Sequence, residues 1–194
     1  PLVEPQEVVN RAGVTFESVD AENGRFLVPF FGTLHSVAWP QGTVQTASDG
    51  QDADIWVQIL LLHYLLTADG MPLASEWIAF RNLPGGLGYD AAFQGRANYR
   101  LAGAFGTDDQ AFVAAARSLG GERLSFGDAS YLFRALPRVW LAVVLYLADE
   151  DFSASAQVLF DGAASHYLDT EDLAVLGGML ASRLIKAAKA AKTT

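Results

Sequence analysis

Five polar side chains gather along one stretch of this 194-residue chain: Glu76, Arg81, Tyr89, Arg96 and Asn98, around the turn Leu83-Pro84-Gly85-Gly86-Leu87-Gly88. Arg96 follows Tyr89 by seven residues, two helical turns, so the pair shares a helix face with Phe93 between them. Two arginines and a tyrosine on one cleft suit a carboxylate-bearing ligand, because a guanidinium presents a planar fork of donors. Gly85 and Gly86 would let a ligand approach the backbone, and the amides of a turn at a helix start can hold an anionic group. A buried ion-pair network through Glu76 accounts for the same residues equally well. The turn lacks the Lys-Ser/Thr of a phosphate loop and the spacing of a dinucleotide fingerprint.

The histidines are His35, His63 and His166. None belongs to a His-x-x-x-His or His-Glu-x-x-His pattern, so no metal site is expected from local sequence. His63 falls on a nearly all-apolar helix and His166 in the loop before the last helix, where a side chain can meet a ligand. His166 with Asp161 or Glu76 would make the acid/base pair of a small hydrolase or lyase, given hydrogen-bond reach. Asp149-Glu150-Asp151 with Asp161 supplies paired carboxylates, which suit acid/base work or a hard cation; a solvated turn explains the triplet as well. The chain has no cysteine, which excludes thiolate catalysis, disulfides and cysteine-ligated clusters.

Charge is uneven. The chain carries 13 Lys+Arg against 22 Asp+Glu, a net charge of -9. Residues 1–80 hold two basic against ten acidic residues, residues 81–140 seven arginines against five acids, and the remainder four against seven, so -8, +2 and -3 give -9. A nucleic-acid partner is not expected, since binding a polyanion needs a cationic face. The longest apolar run, Ile55 to Leu66, is about half the roughly 20 residues a membrane helix requires. With no signal-peptide pattern at the start of the sequence, a cytoplasmic address is expected.

These residues need elements to position them. Pro5 to Ala12 reads as a helix stopped by Gly13. Val14 to Val19, Arg25 to Phe31 and Thr33 to Trp39 read as strands, with Asn23-Gly24 as a tight hairpin turn. Gln41 to Asp52 reads as a loop. Asp54 caps a helix to about Ala68 that is apolar nearly all round, hence buried. Tyr89 to Phe105 and Asp108 to Leu119 read as helices; Arg123 to Phe126, Ser130 to Arg134, Val139 to Leu147 and Gln157 to Phe160 read as strands. Thr170 caps a final helix with Leu173, Leu176, Leu180 and Leu184 as its buried stripe, and Gly177-Gly178 implies close backbone packing. Strands and helices come in blocks, which predicts one compact α+β domain over 1–194, a mainly antiparallel sheet covered by helices.

Ile59 to Leu66, Trp77 through Phe80-Arg81-Asn82-Leu83-Pro84-Gly85-Gly86, Phe93, Arg96, Leu136-Pro137-Arg138-Val139, Asp149-Glu150-Asp151-Phe152, Leu159-Phe160-Asp161 and His166-Tyr167-Leu168 together resemble one uncharacterised prokaryotic family, a domain of unknown function found mainly in anaerobic bacteria and archaea. The resemblance covers about residues 50–185. Some members carry a four-cysteine iron–sulfur segment like that of corrinoid/iron–sulfur proteins, which this cysteine-free chain cannot bind. The resemblance implies no established activity. It suggests a tetrapyrrole, a corrinoid or haem, as the anionic ligand of a binding module in which Arg81 and Arg96 clamp carboxylates and His63 or His166 coordinates or orients the ligand. An interaction or scaffold subunit with a protein partner is the rival expectation.

Overall fold

The computed structural model describes residues 4–191. Helix α1 (Pro5–Ala12) begins with proline in its first turn and ends at Gly13, whose φ of 66° is the left-handed stop that glycine tolerates best. A four-stranded antiparallel sheet follows in the order β1 (Thr15–Ser18), β2 (Gly24–Phe30), β3 (Thr33–Trp39) and β4 (Val44–Thr46). The stretch expected to be a loop thus contributes an edge strand. Asn23-Gly24 is not the tight turn: Asp20 organises a longer loop by accepting from the amides of Glu22 and Asn23. Gly24 is demanded by packing, since a Cβ there would sit 2.1 Å from Phe16 Cζ. The two-residue hairpin falls at Phe31-Gly32, both with positive φ (46° and 79°), the conformation such a turn requires. A phenylalanine rarely adopts it. Phe31 is held there by its amide, which donates to the Ala135 carbonyl at 2.9 Å.

Helix α2 (Ile55–Thr67) is capped by Asp54, whose carboxylate accepts from the Trp56 amide at 2.9 Å. It is not buried all round. Val57, Leu60, Leu61, Tyr64 and Leu65 face the core, whereas Ile55, Trp56 and Leu66 are 59%, 53% and 74% exposed.

The second sheet runs β5 (Trp77–Ala79), β9 (Ser155–Asp161), β8 (Val139–Tyr146), β7 (Ala129–Leu136) and β6 (Glu122–Leu124), antiparallel throughout. Its central strands β7 and β8 are buried at successive residues, so both of their faces are covered. A 3-10 turn, Phe80–Asn82, leads from β5 into α3 (Gly86–Arg96). What the sequence reads as one helix is two, α3 and α4 (Asn98–Phe105), broken at Ala97 (φ -124°, ψ -70°). The break follows from Asn98: its Oδ1 accepts from the Val158 amide at 2.9 Å, just past the end of the short strand β5, and its Nδ2 donates to Gln94 Oε1 at 2.8 Å. Helix α5 (Asp109–Ser118) is capped by Asp108, and α6 (Thr170–Ala191) closes the chain. The cap of α6 is Asp169, which accepts from the Asp172 amide at 2.9 Å; the Thr170 hydroxyl donates instead to the Pro84 carbonyl.

Leu173, Leu176, Leu180 and Leu184 are buried along α6, and one hydrophobic core runs through both sheets and all six helices. The fold class is α+β with antiparallel sheets. Among the described residues no helix is long and apolar enough to cross a membrane.

Candidate functional site

Helix α6 presents two neighbouring rows four residues apart, Ala174-Gly178-Ser182 and Val175-Met179-Arg183, to a cavity of about 400 Å³. Trp56, in the first turn of α2, forms part of the wall, and Arg96 and Arg100 enter across the α3–α4 break. The break matters because Arg96 ends one helix and Arg100 lies in the first turn of the next. Arg100 Nη1 donates to Ser182 Oγ at 3.0 Å and to the Arg96 carbonyl at 3.2 Å, which fixes its guanidinium at the rim. The Arg183 guanidinium lies 4.8 Å from the Phe31 ring centre and 5.6 Å from that of Phe30, so the β2–β3 hairpin orients it by cation–π contact. Burial pulls the Arg183 pKa below its ordinary value. Among the described residues, no carboxylate comes within 4 Å of Arg96, Arg100 or Arg183. Three arginines with no carboxylate partner among the described residues therefore line one open, apolar-walled depression, in a chain whose net charge is -9.

Of the side chains singled out from the sequence, Arg81 and Asn98 come together at one cavity and the others lie elsewhere. Arg81 is exposed and lines a different cavity, of about 310 Å³, with Gln94, Asn98, Tyr99 and Gln157. Gln94 and Asn98, at the end of α3 and the start of α4, line the Arg81 cavity, whereas Arg96, two residues from each, lines the cavity against α6, so the two arginines open on different faces and no shared clamp forms. Gly85 takes the left-handed conformation (φ 74°), and a Cβ on Gly86 would lie 2.1 Å from the Phe80 carbonyl oxygen; both glycines are explained by the turn itself. Tyr89 is exposed and donates to Glu171 Oε1 at 3.3 Å. None of Gly85, Gly86, Tyr89, His63 or His166 lines the arginine cavity.

The histidines form two separate pairs. His63 Nδ1 is 2.7 Å from Asp172 Oδ2, tying α2 to α6, and burial raises the Asp172 pKa against the opposing hydrogen bond from His63. His166 Nδ1 is 2.6 Å from Asp69 Oδ2, and that hydrogen bond lowers the Asp69 pKa. The partner of His166 is thus neither Asp161 nor Glu76. Asp161 is buried with its carboxylate accepting from the amides of Ala74, Ser75 and Ala163, which pins the loop after α2. Asp149 organises its own acidic turn by accepting from the amides of Asp151 and Phe152. Among the described residues no three ligating side chains gather as a metal site.

Arg100, Arg183 and Trp56 were not evident as site residues in the sequence. Arg100 could have been found from its i,i+4 spacing to Arg96. Arg183 lies beyond the arginine-rich segment, and Trp56 reads as part of an apolar helix.

The family model for a domain of unknown function, DUF3786, matches residues 4–183. The chain belongs to the DUF3786 family. The match extends upstream of the phrases that suggested the resemblance and takes in α1, the first sheet and most of α6, so every residue lining the arginine cavity lies within the DUF3786 domain. No curated protein and no solved structure matches the chain.

Proposed function

We propose that this DUF3786 chain is a binding module for a small anion bearing a flat apolar group, held in the cavity between α2, the α3–α4 break and α6. The observation that carries this reading is the set of three arginines with no carboxylate partner among the described residues. Uncompensated guanidinium groups favour an incoming phosphate or carboxylate, which accepts bidentate, charge-assisted hydrogen bonds. The exposed Trp56 ring supplies a stacking face, and Ala174, Val175 and Met179 an apolar wall. Gly178 keeps the floor open: a Cβ there would meet nothing closer than Arg96 Cβ at 3.9 Å. A volume of about 400 Å³ lies within the roughly 300–1,000 Å³ of small-molecule sites.

A tetrapyrrole would present propionate-type carboxylates to the same arginines; that extension is supported by the resemblance to a family in which some members carry a segment like that of corrinoid/iron–sulfur proteins. Titration calorimetry with adenosine 5′-monophosphate, haem and cyanocobalamin tests both levels. Saturable binding of the nucleotide or haem, lost in an Arg96→Gln/Arg100→Gln/Arg183→Gln variant, supports an anion site. Binding by haem and not by the nucleotide narrows it to a carboxylate-bearing tetrapyrrole, and cyanocobalamin, whose side-chain acids are amides, is expected to bind more weakly than haem. No binding by any of the three, or binding that survives the triple substitution, removes the proposal.

A further inference from the structure

Helix α2 is apolar nearly all round, yet its outer face is open to solvent. Along that face Ile55, Ile59, Leu62 and Leu66 recur at intervals of four, three and four residues. Ile55 and Leu66 are exposed, and Ile59 and Leu62 are half-buried. The inner face, with Leu60, Leu61 and Tyr64, is spent on the core. The outer spacing is that of the a and d positions of a coiled-coil seam, by which one helix packs along another. Contiguous exposed apolar surface of this kind marks an interaction face.

We propose that this face is covered by α2 of a second copy of the chain, packed antiparallel about a two-fold axis. The spacing reads the same in both directions. An axis level with the peptide between Leu60 and Leu61 therefore sets Ile55 against Leu66 of the second copy and Ile59 against its Leu62, and the reverse. Charge favours the same pairing. Residues beside a seam select its partner through their charges, and here they are Trp56, Gln58, His63 and Leu65, with no carboxylate, lysine or arginine among them. A second copy meets no repulsion along the seam, and His63 is already paired with Asp172 at 2.7 Å. At the ends, the antiparallel copy brings Asp52 and Asp54, ahead of α2, toward the end where Arg11 packs: a Cβ on Gly70 would lie 3.7 Å from Arg11 Cγ. Arg11 has only a loose contact there with Glu7, at 4.0 Å, and Asp69 is held by His166 at 2.6 Å. Opposed axes also set the positive end of each helix dipole beside the negative end of the other. A seam of about 16 Å of helix is short against the roughly 800 Å² per partner of a standard interface, so the dimer is weak. None of the four seam residues lines the arginine cavity, so this inference stands apart from the anion site.

Sedimentation equilibrium of the whole chain, from micromolar to millimolar concentration, tests this, with circular dichroism confirming that each variant folds. Wild type is expected to pass from one chain to two. Ile55→Glu/Leu66→Glu, at two exposed positions, sets like charges face to face and is expected to weaken the dimer at least about tenfold. Ile55→Glu/Leu66→Lys sets opposite charges face to face in the antiparallel register alone, and is expected to dimerise at least about tenfold more tightly than the double-glutamate variant. Leu87→Glu, at a comparably exposed leucine on α3, is expected to leave the dimer unchanged. A chain that stays monomeric at millimolar concentration overturns the proposal. So does a double-glutamate variant that dimerises like wild type, or a glutamate/lysine variant no tighter than it. Co-sedimentation of the monomer with phosphatidylcholine vesicles, lost in Ile55→Glu/Leu66→Glu, would assign the face to a lipid surface and likewise overturn it.

Discussion

Gly177 and Gly178 are neighbours on α6 with opposite surroundings, and replacing each by alanine separates packing from helix propensity. A Cβ on Gly177 would lie 2.7 and 2.9 Å from Phe93 Cε2 and Cζ, and 3.3 Å from Phe160 Cζ. Those rings cannot swing aside: both are fully buried, and Phe93 is stacked on Phe80 with centroids 4.1 Å apart and planes at 11°. Forcing a methyl into such a core costs about 1–3 kcal/mol, against about 1 kcal/mol gained by exchanging glycine for alanine in a helix. Gly177→Ala is therefore expected to destabilise by about 1 kcal/mol. At Gly178 the nearest atom to a new Cβ is 3.9 Å away, so only the propensity gain remains, and Gly178→Ala is expected to stabilise by about 0.5–1 kcal/mol. In a chain of this size each kcal/mol moves the melting midpoint by about 2–4 °C, so the two variants should melt on opposite sides of wild type. Calorimetry and urea titration read this directly. Shifts of the same sign, or a Gly177→Ala protein more stable than wild type, would refute the reasoning.

Asp161→Ala leaves three backbone amides without an acceptor beside a site only 2% exposed. A loss of about 3 kcal/mol or more is expected by urea denaturation, and a smaller one for Asp161→Asn, which retains a carbonyl oxygen. His35 is 6% exposed, and its pKa is lowered chiefly by burial, against an opposing hydrogen bond with the Thr33 carbonyl. The unfolded chain therefore takes up that proton first as pH falls, so the His35 contribution to stability is lost from about pH 6.5 downward. The stability–pH slope in that range should flatten in His35→Phe, and an unchanged slope would assign it to another group.

Much of the fold is legible because local signals agree with tertiary demands. Gly13, Asp54 and Asp108 act at the helix ends their residue types predict, and the leucine stripe of α6 is buried. Misreadings arise where a distant partner decides. Asn98 breaks a helix to satisfy a strand amide 60 residues away, and Asn23-Gly24 yields the tight turn to Phe31-Gly32, which is fastened to Ala135. The candidate site shows the same division. Arg96 reads from the sequence as a candidate for holding an anion, but the residues that share its cavity are set by how α3, α4 and α6 cross, which no local pattern encodes. Arg81, linked to Arg96 by the arithmetic of one segment, ends in a different cavity because Arg96 turns toward α6 while Gln94 and Asn98, two residues to either side of it, line the Arg81 cavity.

Arginine side-chain NMR addresses the anion cavity most directly. The chain has ten arginines, and their Nε–Hε signals can be followed while adenosine 5′-monophosphate is added. Saturable shifts of Arg96, Arg100 and Arg183, with Arg81 and Arg123 unmoved, are the predicted result. Uniform drift of all ten, or movement centred on Arg81, would contradict it.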